Sequence, residues 1–303
     1  MNRVLGAACL LTTTLVWGQA PVYRIAAAYR APAEAAKARS FWTSFKRVVL
    51  GDGEALPRWG QPMSVLPANG LLAVAASGEP HVWLLDPRAR SVRRAAPPGG
   101  FGAPIDLAAS ADALFVSDSQ RGAVWQYAFR DGAWTLLPLR LLRPTGLHYS
   151  KARKGLLITD TGAHTLWVWD GTMARPVRES GLNFPTDVAE AGPAELVVAD
   201  AMDHQVEILG WDGKSEAVWG EAGSQTGQFA FIRSIAVDRQ GRIYVSDVQQ
   251  NWIQVFDRSG QLLTVLGEGD LFNHPSYLQI QEQTLWVADS FNQRIVEIAI
   301  DEP

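Results

Sequence analysis

Trp219 to Gly260 reads WGEAGSQTGQFAFIRSIAVDRQGRIYVSDVQQNWIQVFDRSG. Its three apolar runs, IRSIAV, RIYVSD and WIQVF, alternate with a period near two and are bounded by turn residues. That pattern predicts short strands and not helices. The second run ends on Asp247, and a polar turn separates it from the third.

The same unit recurs on both sides. LFVSDSQRGAVWQY carries Asp118, LLITDTGAHTLWVW carries Asp160, ELVVADAMDHQVEI carries Asp200, and TLWVADSFNQRIVEI carries Asp289. A degenerate first copy, LLAVAASGEPHVWLL, has Ala76 in that slot. Successive slots are 42, 42, 40, 47 and 42 residues apart. Pro62, Pro104, Pro144, Pro185 and Pro275 each open a preceding apolar strand, with Ile232 standing in the fifth copy. Each unit therefore holds an inner strand after the proline, a second ending at Asp, a third after the turn, and an outer fourth. Six units of four antiparallel strands predict an all-β, six-bladed propeller.

The stretch from Trp219 to Gly260 resembles an NHL repeat throughout, with GQF, IAVD, G-x-I-Y-V-S-D and N-x-x-I-Q-V-F in order. His274 to Ile298 resembles it nearly as well. The resemblance covers roughly residues 46–303 and implies a propeller fold that hosts both binding modules and enzymes.

The last unit lacks an outer strand after its third. KRVVLGDGEALPRWGQP resembles LTVLGEGDLFNHP, so Val48-Val49-Leu50 is expected to complete blade six and close the ring from the N-terminal side. Residues 21–45 are expected to lie outside the propeller. PAEAAKARSFWTSF within them reads as a short helix from Pro32 that docks Phe41, Trp42 and Phe45, or as a tether.

Residues 1–20 read as a signal peptide: Arg3, an apolar run from Val4 to Trp17, and small residues at Gly18 and Ala20, with cleavage after either. The only cysteine, Cys9, lies in this segment, so the mature chain is expected to hold no disulfide. An exported protein, periplasmic or extracellular, follows, with no transmembrane segment in the mature chain. Hydrophobic residues are 47% and charged ones 19%, an ordinary globular composition, and Gly 27, Pro 17 and Trp 12 suit a turn-rich β fold. A formal net charge of −4 argues against nucleic acid as the partner.

The repeated Asp residues are expected to bind backbone N–H groups at a turn. His81, His164 and His204 are turn residues, and His274 precedes a proline. His148, on the inner strand of blade three, is the histidine that approaches the channel. The zinc-dependent lyases of this fold need several inward histidines, which this sequence does not supply. Related propeller lactonases use a Glu-Gly-Pro signature, where this chain has Gln61-Pro62-Met63. Two residues after the proline slot stand Ser64, Asp106, Gly146, Asp187, Ser234 and Tyr277. Asp106 and Asp187, with Arg233 and His148 near them, mark the channel mouth. If any divalent cation such as calcium binds, these two carboxylates hold it. No Gly-x-Ser-x-Gly, His-Glu-x-x-His or phosphate loop appears.

Trp59, Trp252, Phe272, Tyr277 and Phe291 fall near the loops of blades one, five and six, and either plug the gaps between blades or form an anchor patch. The expectation is a monomeric, non-catalytic, cofactor-free module binding a protein, peptide or glycan on its loop face. The alternative is a lactonase-like hydrolase or lyase with a channel cation.

Overall fold

The computed structural model describes residues 22–29, 60–86, 88–89, 91–267 and 271–301. Among these residues, twenty-four strands form six four-stranded antiparallel sheets. The N-terminal strand β1 is Val22–Tyr29. Blade one holds β2 (Gln61–Ala68), β3 (Leu71–Ser77), β4 (Val82–Asp86) and β5 (Ser91–Ala95). Blade two holds β6 (Pro104–Ala109), β7 (Ala113–Asp118), β8 (Ala123–Ala128) and β9 (Trp134–Leu136). Blade three is β10 (Pro144–Ser150), β11 (Gly155–Asp160), β12 (Thr165–Trp169) and β13 (Ala174–Arg178). Blade four is β14 (Pro185–Glu190), β15 (Glu195–Asp200), β16 (Gln205–Gly210) and β17 (Ser215–Trp219). Blade five is β18 (Ile232–Val237), β19 (Ile243–Asp247), β20 (Trp252–Phe256) and β21 (Leu262–Leu266). Blade six has β22 (Pro275–Gln281), β23 (Thr284–Asp289) and β24 (Arg294–Asp301), with β1 as its outer strand.

That last pairing closes blade six from the N-terminal side as expected, and corrects which segment does it. The strand hydrogen-bonded to β24 is Val22–Tyr29, from Val22 opposite Asp301 to Tyr29 opposite Ile295. The ring thus takes in a segment expected to lie outside it. The Val48–Leu50 run, the segment from Pro32 to Phe45 and the signal-like residues 1–20 lie outside the described residues. Tyr23 fastens β1 to blade five: its hydroxyl lies 3.2 Å from that of Tyr244, which donates to Asp238. The Asp238 carboxylate is paired with Arg242 at 2.5 Å.

Apolar faces of neighbouring sheets pack together and make one cluster at each of the six joints. Between blades four and five, Val197, Val206 and Ile208 meet Phe229, Ile235, Val245 and Phe256. The joint that closes the ring brings Ala288 and Ile295 against Val65, Val74 and Leu85.

The repeated Asp residues work as the sequence suggests, though mainly toward the loop before their own inner strand. Asp118 accepts the N–H groups of Gly102 and Ala103, and Asp160 those of Leu142 and Arg143. Asp247 accepts from Ala230 and Phe231, and also from Gln249 and Gln250 in the following turn. Asp289 takes Asn273 N–H and the side chains of Asn292 and Arg294. The residue before the third strand adopts a left-handed backbone in five blades: Gly122, His164, His204, Asn251 and Gln293, with φ between 52° and 61°. Glycine enters that region freely and Asn or His at modest cost, which accounts for the histidines at this slot.

A bulge kinks every inner strand just after its proline slot. The residue before the repeated Asp rescues the backbone N–H that the bulge frees. Ser117 accepts from Asp106, Thr159 from Gly146, and Ser246 from Ser234. Each hydroxyl donates in turn to the next blade: Ser117 to Thr145 C=O, Thr159 to Thr186 C=O, Ser246 to Ser276 C=O. The recurring Ser-Asp or Thr-Asp pair is thus a staple within and between blades.

Candidate functional site: the channel and its loop-side rim

The bulges turn the side chains two residues past each proline slot toward the axis. Ser64, Asp106, Asp187, Ser234 and Tyr277 are all buried there. Asp106 accepts from Ser64 Oγ at 2.7 Å and Leu147 N at 2.8 Å. Asp187 accepts from Ser234 Oγ at 2.6 Å, Ile235 N at 3.0 Å and its neighbour Val188 N at 2.8 Å. Gly146 is small because Asp187 fills its space: a Cβ there would stand 2.5 Å from both Cα and Oδ1 of Asp187. Burial raises Asp106 to about 6, against the pull of its hydrogen bonds and Arg233. Burial and the charge of Asp106 push Asp187 well above the usual carboxylate range.

Both oxygens of each carboxylate are engaged: those of Asp106 by blades one and three, and those of Asp187 by blade five through Oδ2 and by its own neighbour Val188 through Oδ1. Neither carboxylate presents a free pair of oxygens to a divalent cation, and among the described residues no group of three or more His, Cys, Asp or Glu side chains is arranged to hold a metal. Of the residues expected at a channel mouth, Asp106 and Asp187 are part of the belt that joins the blades. Tyr277 completes the block. Its ring crosses the axis from blade six, and its hydroxyl donates to Thr186 C=O of blade four at 3.3 Å. Below it, Gln279 Nε2 reaches Leu107 C=O at 3.5 Å. On the far side, a cavity of about 50 Å³ lies between blades three and six. His148 and Glu190 line it, with Nε2 and Oε2 3.4 Å apart, and Ser150 donates to Glu190. The pair and Ser150 hold the Glu190 carboxyl below its usual range, against the opposing effect of burial.

Of the five aromatics expected to gather on the loop face, the four that are described separate into different roles. Phe272 is buried at the joint of blades five and six, and Tyr277 is the channel plug, so neither offers a ring to a partner. Trp252 is half-buried with its indole N–H unpaired. Trp59 lies outside the described residues. Phe291 alone of the described four stands out, 52% exposed, and stacks on His274 with ring centres 4.3 Å apart.

The rim around the plugged channel adds Arg143, Phe184 and Phe231, which the sequence analysis did not single out, to Arg233 and His274, which it named. The position before the proline slot carries Arg143, Phe184, Phe231 and His274 in blades three to six. Arg143 lies over the Phe184 ring at 5.6 Å, and Phe184 meets Phe231 edge-on at 6.3 Å. Arg233, two residues on from Phe231, covers the Tyr277 ring at 5.0 Å and lies close enough to His274 to help burial lower its imidazole. Leu142 and Met202, 70% and 53% exposed, belong to the same loop face. The signal was present in the sequence: one slot of the repeat, in four successive blades, carries only aromatic, imidazole or arginine side chains.

No protein-family model matches the chain. Over 101 residues, a third of the chain, it is 28% identical to Protein brain tumor of Drosophila melanogaster, a match that spans a tenth of that protein. A protein of unknown function from Bacteroides thetaiotaomicron VPI-5482 is similar in structure, with a TM-score of 0.65 at 16% identity over 80% of this chain and 70% of that one. Virginiamycin B lyase from Staphylococcus aureus is similar at 0.63 and 9% identity, over 79% and 95%. At such identities the likeness defines a class, the six-bladed β-propeller. An enzyme stands among the neighbours, so the fold leaves binding and catalysis both open.

Proposed function

We propose that this chain is an NHL-type propeller that serves as an exported, non-catalytic binding module, taking a protein, peptide or glycan partner on its loop-side rim. One observation carries the reading: the axis is plugged by Tyr277 and its carboxylates are committed to serine hydroxyl and backbone N–H bonds, while aromatic and apolar side chains stand exposed around it. Exposed apolar groups arranged together on one face favour association. The order of the GQF, IAVD and Y-V-S-D blocks supports the NHL assignment, and Arg3, the apolar run to Trp17 and the small residues after it support export.

The test is site-specific photocrosslinking from position 291 in the protein's own cells. The partner adduct should disappear in a Phe184→Ser, Phe231→Ser double variant whose melting temperature is near that of the wild type. An adduct unchanged in that variant would remove the rim from the reading.

A further inference from the structure

We infer that the rim selects an acidic peptide segment, with carboxylates at the two arginines and an apolar side chain between them. This rests on the binding reading above and adds the chemistry of the ligand. Around the ring the order is Arg143 in blade three, Phe184 in blade four, Phe231 and then Arg233 in blade five, and His274 with Phe291 in blade six.

Both guanidiniums sit on aromatic faces, which fixes them in place without using up their hydrogen-bond donors. Among the described residues neither is within 4 Å of a carboxylate, whereas Arg178, Arg242, Arg258 and Arg294 all are. Arg121, a third cation on this face, already donates to Gly99 C=O and Gly100 C=O. The nearby acid Asp203 is held by the Asn183 side-chain amide, and Asp106 is sealed beneath Tyr277 and Arg233. Two oriented arginines flanking two half-buried phenylalanines therefore match a chain that alternates carboxylate and apolar groups. A nucleic acid fits less well, because a protein of net charge −4 offers a weak field to a polyanion.

The probe is a fluorescent acetylated peptide amide of sequence Asp-Leu-Phe-Leu-Asp, compared with the same peptide carrying Asn in place of Asp, and with a ten-nucleotide oligouridine. The acidic peptide should bind at least tenfold more tightly than the Asn peptide, and more weakly as salt rises. Arg143→Gln should weaken it about fivefold with no change in melting temperature. Arg233→Gln should act alike, and if that variant loses stability, Arg143→Gln still decides. Equal binding of the two peptides, or tighter binding of oligouridine, overturns the inference. If crosslinking at position 291 still depends on Phe184 and Phe231 in that case, the binding reading stands and only the acidic ligand falls. If neither holds, both fall.

Discussion

The Tyr277 hydroxyl of blade six meets the Thr186 carbonyl of blade four at 3.3 Å, across the axis of the ring. Tyr277 is fully buried, so its ring closes a channel that in an open propeller would admit solvent. Tyr277→Phe should lose one hydrogen bond and cost about 1 kcal/mol. Tyr277→Ala should leave a cavity on the axis and cost about 3–5 kcal/mol. Urea unfolding of the two variants measures both, and similar small losses would mean that the ring adds little to the core.

Gly146→Ala sets a methyl group against backbone. Its Cβ would fall 2.5 Å from Asp187 Cα and 2.8 Å from Thr186 O, neither of which can rotate away. The inner strands of blades three and four must then separate, at a cost of about 1–3 kcal/mol or more. The substitution should lower the urea midpoint, while Gly192→Ala, whose Cβ meets nothing within 4 Å, should show only the penalty of its positive φ.

Asp200 gives the fold a pH dependence. It accepts Asn183 N–H through one oxygen, and its Oδ1 has no hydrogen-bond partner. Burial raises it to about 6, with Asp203 and Glu207 adding to the rise and His164 opposing it. A carboxyl raised in the folded state favours folding below its unfolded value near 4, and that stability is lost as pH rises through about 6. Asp200→Asn should therefore be more stable than the wild type at pH 7.5, by about 1–2 kcal/mol after allowing for solvent screening. The gap should close below about pH 4. Chemical denaturation of both proteins at the two pH values checks the sign.

Addition of a chelator should leave the melting temperature unchanged, because Asp106 and Asp187 spend their oxygens on Ser64, Leu147, Ser234, Ile235 and Val188. A fall of several degrees that calcium restores would show a site elsewhere in the chain, by linkage of binding to folding.

The outer strand of blade six offers two graded tests. Tyr23→Phe removes the hydroxyl contact to Tyr244 and should cost about 1 kcal/mol. Deleting residues 22–29 uncovers the whole edge of β24 and should cause large destabilisation and association of exposed edges. Melting curves and light scattering of the truncated protein report both.

The repeat was legible because each slot does the same physical job in several blades. Asp118, Asp160, Asp247 and Asp289 must each quiet the loop before their own inner strand, so the residue recurs and the spacing appears. That an N-terminal strand closes blade six was legible; which segment supplies it was not. Val48–Leu50 precedes Gly-Asp-Gly much as Leu266 precedes Gly-Glu-Gly, and that local likeness pointed to it. Pairing with β24 is decided more than 250 residues away, and an outer strand such as VYRIAAAY carries little of the apolar alternation of a buried one. The phenylalanines and Arg143 of the rim were missed for a related reason. A half-buried Phe184 and a buried Phe272 look alike in sequence, and only the repeat slot separates a residue aimed at the mouth from one wedged between blades.

Closing blade six with β1 also sets an order in time. Val22 is made early and Asp301 at the far end of the chain, yet they are partners in one sheet. Blades one to five can each form from their own strands as they emerge. The first segment must wait until β24 exists, bearing strand edges with no permanent mate through nearly the whole of synthesis. The ring therefore becomes complete only after translation has passed its last strand, and a chain stalled before residue 294 keeps an open seam between its first and last blades.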